Sequence, residues 1–179
     1  DTLVIRSMSK AKYSTKNIGH FGLCFEKYTH FTSPIRRYPD VLVHRDLEKI
    51  LLKQTKKQDL EALCLHCSNR EEVATKAERA SIKFMQVKYM STKINQKFNG
   101  VISGITERGV FVEAIDNKCE GFVKIKDVPG DYFVFNEKEM LILGRNTKEE
   151  YRLGDPVLIQ VDGVNQRKQQ IDFSLIEKM

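Results

Sequence analysis

An arginine-rich segment near the start of the chain carries the residues best suited to phosphate chemistry. Ser33 and Pro34 are typical of a helix start, because serine can accept hydrogen bonds from exposed amides and proline suits the first helical position. A helix that begins there would carry Arg36, Asp40 and His44 at intervals of four and therefore on one face. A guanidinium in the first turn can bind a phosphate through two N–H donors, and Asp40 could hold Arg36 at a fixed angle. The spacing predicts a phosphate-positioning site.

Aromatic side chains lie close to this segment in the sequence. Those with flat rings on which a base could stack are Tyr28, His30, Phe31 and Tyr38. Arg37 adds a second cation on an adjoining face of the predicted helix. Rings and cations together favour a nucleic acid as the ligand, because cations attract its phosphate backbone and rings can stack on its bases.

The distribution of charge is consistent with an anionic partner. The 179 residues have a formal net charge of +6, but residues 1–95 carry 18 Lys and Arg against 10 Asp and Glu, while the remainder carries 12 against 14. Excess positive charge favours a nucleic acid or an anionic membrane surface, although a solvated basic face has the same composition. No apolar run approaches the ~18 residues that span a bilayer, and no signal peptide opens the chain. A cytoplasmic protein is therefore expected.

The four cysteines do not suggest a metal site or a disulfide framework. Cys24, Cys64, Cys67 and Cys119 lie mostly in apolar surroundings. Cys64 and Cys67 have the spacing of half a zinc site, but no second pair of ligands follows at a suitable distance. They are predicted to be buried thiols on a helix.

The segment GHFGLCFEKYTHFTSPIRRYPDVLVHRDL resembles the signature near the C-terminal end of the catalytic RNB domain in the ribonuclease II and ribonuclease R family. The resemblance begins close to Ile5 and continues to about Met90. It implies a hydrolytic, processive 3′-to-5′ exoribonuclease that degrades single-stranded or structured RNA to nucleoside 5′-monophosphates. In such an enzyme, Arg36 is expected to orient the phosphate near the scissile bond.

A second catalytic candidate follows from the same resemblance. In the family, an AER-type segment contributes a glutamate to the catalytic channel, and Ala77-Glu78-Arg79 matches that place. Many relatives continue with an acidic residue, whereas this chain has Ala80. An ionised carboxylate near a helix interface is costly unless it is paired or left partly solvated, and Glu78 is expected to have a partner. The alternative is a surface glutamate paired with a nearby lysine on the helix. The RNA-binding candidates in this part of the chain are His20, Tyr28, Arg37 and Tyr38.

Helical periodicity continues beyond the arginine segment. Apolar residues at intervals of three and four extend the first helix to about Gln54. Asp59 is expected to start a second, short helix, and the capping-box pattern at Ser68 predicts a fresh helix start there. The inward-facing residues of this last helix are predicted to be Ala74, Ala77, Ser81 and Phe84.

From Gln96 the pattern changes to short alternating runs with Gly and Asn turns. Five strands are predicted, at residues 98–105, 110–115, 121–128, 156–164 and 170–175, and they suggest a small barrel. The runs GVISGITERGVFVEAIDNKCEGFVKIKDV and YRLGDPVLIQVDGVNQRKQQIDFSLI resemble the two halves of an S1 RNA-binding domain of the OB-fold type, separated by an insertion that resembles that of ribonuclease R-type enzymes. The predicted class is α+β, with the C-terminal part of an RNB domain at 1–94 and an OB-fold β-barrel at 95–179.

The barrel should bind RNA through rings and cations displayed on one face. Phe111 supplies a ring, with core packing as its alternative role. Arg108 and Lys124 stand where the broader family often has an aromatic residue and a histidine. Basic residues at these places keep attraction for phosphate but lose stacking, so the barrel is expected to support RNA binding rather than dominate it.

The resemblance also implies Mg²⁺ bound by a cluster of aspartates that activates the attacking water. No such cluster occurs in this sequence, and the family's metal-binding aspartates lie in a segment that would precede Asp1. The chain is therefore expected to be a monomeric fragment that binds single-stranded RNA and positions phosphate but is inactive alone. A noncatalytic RNA-binding module remains the alternative, and the reading frame upstream of Asp1 would distinguish the two.

Overall fold

Two α-helices and eight β-strands follow one another in the computed structural model, which describes residues 8–54 and 59–179. Contacts divide the chain into two units, the first ending at Ala77 and the second beginning at Glu78. The helices precede the strands, which confirms the predicted α+β class. The start of the family resemblance near Ile5 lies outside the described residues.

The first helix, α1, spans Tyr38–Leu51 and so begins later than the predicted start at Pro34. The physical reason is Pro39, which occupies the first turn of α1. A helix that began at Pro34 would have Pro39 in its second turn, where proline has no N–H to donate and its ring would clash with the carbonyl of Ile35. The second proline therefore determines where the helix can start.

The residues before α1 form a turn instead. The carbonyl oxygen of Ser33 accepts hydrogen bonds from the N–H groups of Arg36 (3.3 Å) and Arg37 (3.0 Å), and Arg37 then adopts an extended conformation at the helix cap. Arg36 thus precedes the helix. The prediction that Arg36, Asp40 and His44 share one helical face is wrong, since only Asp40 and His44 are helical.

The second helix, α2, is continuous over Leu60–Met90. Its predicted start is confirmed, because the Asp59 carboxylate accepts a hydrogen bond from the N–H of Ala62 (3.2 Å). The predicted new start at Ser68 is wrong. The Ser68 hydroxyl donates to the carbonyl of Cys64 (2.9 Å), one turn back, and no Gly or Pro interrupts this stretch.

The predicted inward face of α2 is not buried. All four of its proposed members are exposed: Ala74, Ala77, Ser81 and Phe84. Small residues permit close approach of a neighbour, but they supply little apolar area to drive it. The buried positions of the helix are instead Cys67 in the first unit and Val87 and Met90 in the second. Within the described part of the chain, no helix is long and apolar enough to cross a membrane.

Five strands of the second unit form a closed barrel: β1 (Lys97–Thr106), β2 (Gly109–Ala114), β3 (Glu120–Lys124), β7 (Pro156–Asn165) and β8 (Gln170–Lys178). They hydrogen-bond in the order β1, β2, β3, β8, β7, and β7 pairs with β1. All neighbours are antiparallel except β3 and β8, which meet in parallel at Phe122 and Asp172. Each segment predicted to be a strand contains one, but the third ends early and continues as a 3-10 turn at Ile125–Asp127.

Three further strands form a separate antiparallel sheet in the order β4 (Phe133–Asn136), β5 (Leu141–Gly144) and β6 (Glu150–Arg152). They lie in the segment that resembles an insertion, so the prediction of five strands was incomplete. Phe133, Ile142 and Tyr151 from this sheet share one hydrophobic core with the barrel residues and with Val87 and Met90 of α2. The burial of these side chains holds the helix end, barrel and inserted sheet of the second unit together.

Candidate nucleic-acid interface

The segment Ser33–Asp40, here called the arginine turn, is organised around a buried carboxylate. Asp40 has no exposed surface, and its Oδ1 accepts hydrogen bonds from the Ser33 N–H (2.7 Å) and from Nη2 of Arg37 (3.0 Å). Burial by itself would raise the pKa of Asp40, but these two donors and the Arg37 charge outweigh burial and hold the pKa below its usual range. The carboxylate therefore closes the turn as an anion.

The two arginines of the turn differ in what they contact. Asp40 binds Arg37 and not Arg36, which corrects the prediction that it would hold Arg36. The Arg37 side chain is only 17% exposed. Arg36 is exposed, and Nη2 makes a single long hydrogen bond of 3.4 Å to the Ser33 hydroxyl. Most N–H donors of Arg36 are thus available to a phosphate.

His44 contacts the residues just before the arginine turn. Its Nε2 lies 2.7 Å from the Phe31 carbonyl oxygen, so this nitrogen carries the proton and donates it. The centroids of the His44 and Phe31 rings are 4.3 Å apart. His44 therefore ties α1 to the preceding loop, and this contact engages the ring of Phe31 that was considered for base stacking.

Three of the ring-bearing candidates of the first unit, His20, Tyr28 and His30, form a cluster. Tyr28 lies edge-on to His20 (4.9 Å between ring centroids) and to His30 (5.7 Å), and His30 Nδ1 is 2.9 Å from the Tyr13 hydroxyl. Burial, followed by the charge of Arg37, lowers the pKa of His30. Tyr28 remains 46% exposed, so part of its ring can still meet a ligand. Tyr13 was missed because it lies in a loop without a recognisable pattern.

Tyr38 and His20 differ in how much they are engaged. Tyr38, the first residue of α1, is 46% exposed, and none of the described residues makes a ring contact with it. His20 is half-buried, and its Nδ1 accepts a hydrogen bond from the Leu23 N–H (3.2 Å). The structure therefore brings His20 and Tyr28 together and leaves Tyr38 open at the end of the arginine turn.

A second group of candidates lies on the barrel. Phe111 on β2 is directly opposite Phe122 on β3, with ring centroids 5.0 Å apart. Neither ring belongs to the buried core and both are only partly buried, which favours contact with a ligand over core packing for Phe111. Gly104 of β1 faces Phe111, and a Cβ there would lie 3.4 Å from the ring. Arg108 and Lys124 are exposed near this pair, in the β1–β2 turn and at the end of β3.

This pair of phenylalanines, with Arg108 and Lys124, is called the barrel face. The sequence analysis missed Phe122. The signal was present, because the runs GVFV and GFVK each have a phenylalanine beside a buried valine, which places both rings on the same side of neighbouring strands. A pair of rings with two cations offers a surface for stacked bases and their phosphates.

Comparison with known proteins gives these two surfaces a context. Residues 1–53 match the model of the RNB domain, and residues 91–176 match the model of the S1 RNA binding domain. Ribonuclease R of Aquifex aeolicus is 41% identical over 99% of this chain, and that of Thermotoga maritima is 40% identical over 99%. Escherichia coli ribonuclease R is 36% identical over 98% of the chain. The chain belongs to the ribonuclease R family.

The chain spans about a quarter of the length of these relatives, covering 26%, 26% and 23% of the three proteins in turn. Solved ribonuclease R structures agree with this match. Apo RNase R of Mycoplasma genitalium has a TM-score of 0.91 and 32% identity, over 98% of this chain and 29% of that protein. The same enzyme in complex with ribose-methylated single-stranded RNA has the same values. The arginine turn lies within the RNB match and the barrel face within the S1 match.

Glu78 lies between the ranges that match the RNB domain model and the S1 RNA binding domain model. It is exposed on α2, and none of the described residues forms an ion pair or hydrogen bond with it. The expectation of a partner is therefore wrong within the described residues. The stripe of small residues beside Glu78 is itself exposed, so water can solvate the carboxylate and no ion pair is required.

Metal ligands were also sought within residues 8–54 and 59–179. No three His, Cys, Asp or Glu side chains come close enough there to hold a metal ion. Asp40, the buried acid of the arginine turn, is already bonded to Ser33 and Arg37. The described residues do not fit the Mg²⁺ site that the family resemblance implies, and none is assigned a metal-binding role.

Proposed function

We propose that this chain supplies the phosphate-positioning and RNA-binding part of a hydrolytic, processive 3′-to-5′ exoribonuclease. The intact enzyme would degrade single-stranded or structured RNA to nucleoside 5′-monophosphates. Membership of the ribonuclease R family supports the proposal, as does the likeness to an RNase R solved with single-stranded RNA. Because the chain spans about a quarter of its relatives, the activity is proposed for the intact protein.

The contrast between Arg36 and Arg37 carries the proposal. Asp40 is buried and accepts hydrogen bonds from both Ser33 and Arg37, and these bonds fix the conformation of the turn. Arg36 projects from this fixed turn with most of its donors free of contacts to the described residues. A planar guanidinium on a rigid support can bind two phosphate oxygens without first being ordered.

The proposed chemistry is the hydrolysis of a terminal phosphodiester. Water adds to phosphorus and the bond to the 3′-oxygen breaks, which leaves a 3′-hydroxyl on the RNA and a 5′-phosphate on the released nucleoside. Negative charge on the phosphate oxygens grows as water adds. We assign Arg36 to stabilise that charge and to orient the phosphate.

The other candidates of the first part of the chain receive supporting roles. We propose that His20, Tyr28 and Tyr38 contact RNA bases, supported by the exposed rings of Tyr28 and Tyr38. Arg37 was predicted to bind RNA, but its ion pair with Asp40 favours a positioning role within the turn. Glu78 is proposed as a second catalytic residue from the family resemblance, and its exposure leaves the carboxylate available.

We propose that the five-stranded barrel acts as an OB-type RNA-binding domain through the barrel face. The ring pair Phe111 and Phe122 would stack on bases, while Arg108 and Lys124 would attract the phosphates. The boundary between this domain and the RNB part is placed at residues 94 and 95. The S1 match begins at residue 91, close to this boundary.

The intact enzyme is proposed to use Mg²⁺, which when bound would lower the pKa of the attacking water and clamp the leaving oxygen. The chain alone is proposed to bind RNA as a monomer without hydrolysing it. The expected result with labelled single-stranded RNA and Mg²⁺ is binding without mononucleotide release by the 179-residue chain, and release by the intact protein. Degradation by the homogeneous chain would contradict the proposed division of roles. Binding without degradation by the intact protein would favour the noncatalytic RNA-binding module.

A further inference from the structure

The inserted sheet displays an aromatic ring and a cation side by side at one end. Tyr132 immediately precedes β4 and Arg145 immediately follows β5, and the Arg145 N–H donates a hydrogen bond to the Tyr132 carbonyl oxygen (3.0 Å). The guanidinium carbon of Arg145 lies 5.0 Å from the centre of the Tyr132 ring. The two residues are therefore cross-strand neighbours whose side chains pack on each other.

Asp131 stabilises the turn that carries Arg145 through hydrogen bonds. Its carboxylate accepts hydrogen bonds from the N–H groups of Asn146 (2.7 Å) and Thr147 (2.7 Å) and from both their side chains. The Thr147 N–H is the strongest influence that holds the pKa of Asp131 far below its usual range. A Cβ on Gly144 would lie 2.8 Å from this carboxylate, so glycine permits the close approach. Arg145 and Tyr132 are thus held on a preformed support.

Neither side chain is needed to fill the core of the second unit. Tyr132 is 65% exposed, the highest value among the large apolar residues described in that unit, whereas the adjacent Phe133 is buried against Tyr151. The Arg145 guanidinium makes no ion pair or hydrogen bond with any described residue. Lys148, exposed in the same turn, donates its Nζ to the Arg145 carbonyl (3.1 Å) and adds a second cation. The turn therefore presents an exposed ring and two exposed cations that the core of the second unit does not use.

We propose that Tyr132 and Arg145 form a second contact site for single-stranded RNA, separate from the barrel face. A base would stack on the open part of the Tyr132 ring, and the guanidinium, already oriented by that ring, would bind the adjoining phosphate. The proposal rests on the proposed RNA-binding function. It extends the RNA path from β2 and β3 to the inserted sheet, and a chain that contacts both places binds more tightly than either contact alone allows.

The first test measures the affinity of the whole chain for a fluorescently labelled single-stranded RNA by anisotropy at several salt concentrations. Tyr132→Ala and Arg145→Ala should each weaken binding by about fivefold, and Tyr132→Phe should retain affinity because the ring remains. Arg145→Ala should also make binding less dependent on salt, since one phosphate contact is lost. Lys138→Ala is the matched control, because Lys138 is an exposed cation in the turn at the other end of β4 and should have no effect on affinity.

The second test uses the fact that the chain contains no tryptophan. Tyr132→Trp introduces the single indole of the protein at the proposed site, and its fluorescence should be quenched when a base stacks on it. Lys138→Trp, at the other end of the strand, should show little change on RNA addition. Equal quenching at both positions would overturn the proposed stacking contact.

The outcomes separate the second site from the proposed function itself. If Phe111→Ala weakens RNA binding while Tyr132→Ala and Arg145→Ala do not, the second site is overturned and the barrel face stands. If the unaltered chain binds no single-stranded RNA, both fail together. Weakening by Tyr132→Ala with retention by Tyr132→Phe, at unchanged thermal stability, supports the second site.

Discussion

Arg37 donates a 3.0 Å hydrogen bond to a fully buried Asp40, while its neighbour Arg36 remains at the surface. A buried carboxylate is stable as an anion only when donors compensate its charge, and here the Ser33 N–H and Arg37 both donate to Oδ1 of Asp40. Two adjacent arginines of the same chemistry thus have opposite roles, one holding the turn and the other facing solvent. The predictions about the arginine turn follow from this relationship.

The first prediction concerns the pH dependence of stability. The pKa of Asp40 is lower in the folded protein than in the unfolded chain, where it is about 3.9. The stabilisation it provides is therefore present above about pH 4 and is lost as pH falls through the folded-state pKa. Asp40→Asn should lower the midpoint of thermal unfolding near pH 7 and remove this part of the acid sensitivity.

Thermal unfolding of the unaltered chain and of Asp40→Asn, compared between about pH 3 and about pH 7, would measure both effects. Asp46→Asn is a suitable control, because Asp46 lies on the same helix and its only described ion pair is with partly exposed Lys49. Parallel pH profiles for the unaltered chain and Asp40→Asn would contradict the assigned role of the buried carboxylate.

The second prediction concerns Arg36 in the intact enzyme. Arg36→Lys keeps the charge but loses the planar pair of donors. The cleavage rate, which depends on transition-state stabilisation, should therefore fall more than the affinity for RNA. Loss of one oriented contact should cost on the order of 3 kcal/mol, or roughly a hundredfold in single-turnover cleavage rate. RNA affinity, measured separately by titration, should change much less.

Arg45→Ala provides the comparison for Arg36, because Arg45 is an exposed arginine further along α1. It should reduce the rate only slightly. Equal and small rate losses for Arg36→Lys and Arg45→Ala would remove Arg36 from its proposed role.

The third prediction concerns the ring pair of the barrel face. Phe111→Ala and Phe122→Ala should each weaken binding of single-stranded RNA by about 1–3 kcal/mol, the usual contribution of one stacked base. Phe84→Ala removes a more exposed ring from α2, outside the barrel face, and should have little effect. Anisotropy titrations of the three variants would decide it, and equal losses for all three would show that the ring pair has no special part in binding.

The fourth prediction concerns the hydrogen bonds that Asp131 accepts from the turn after β5. Asp131→Ala removes the acceptor of the Asn146 and Thr147 N–H groups, so these two amides should exchange with solvent much faster than in the unaltered chain. Amides of the barrel strands should keep their protection. Asp116→Ala, in the exposed turn after β2, is the control and should leave the exchange of Asn146 and Thr147 unchanged. Unchanged exchange in Asp131→Ala would mean that the turn is held by other contacts.

Local sequence patterns predicted the second unit better than the first. Alternation of apolar and polar residues located all five barrel strands, because inward and outward side chains alternate along a strand that has one buried face. The inserted strands β4 to β6 were missed because they are only three or four residues long and lack that regular signal. The start of α1 was misplaced because two prolines compete for the first turn, and only Pro39 can stay there without breaking the helix.

The sequence by itself determined the family, the α+β class and the identity of the arginine segment, since these depend on residue types and their spacing along the chain. Only the tertiary structure decided which arginine Asp40 binds, which phenylalanine faces Phe111, and that Glu78 is solvated. These relationships depend on burial, on the register between strands and on the direction in which a turn points each side chain. Residues that are adjacent in sequence can therefore differ completely in what they contact, as Arg36 and Arg37 do.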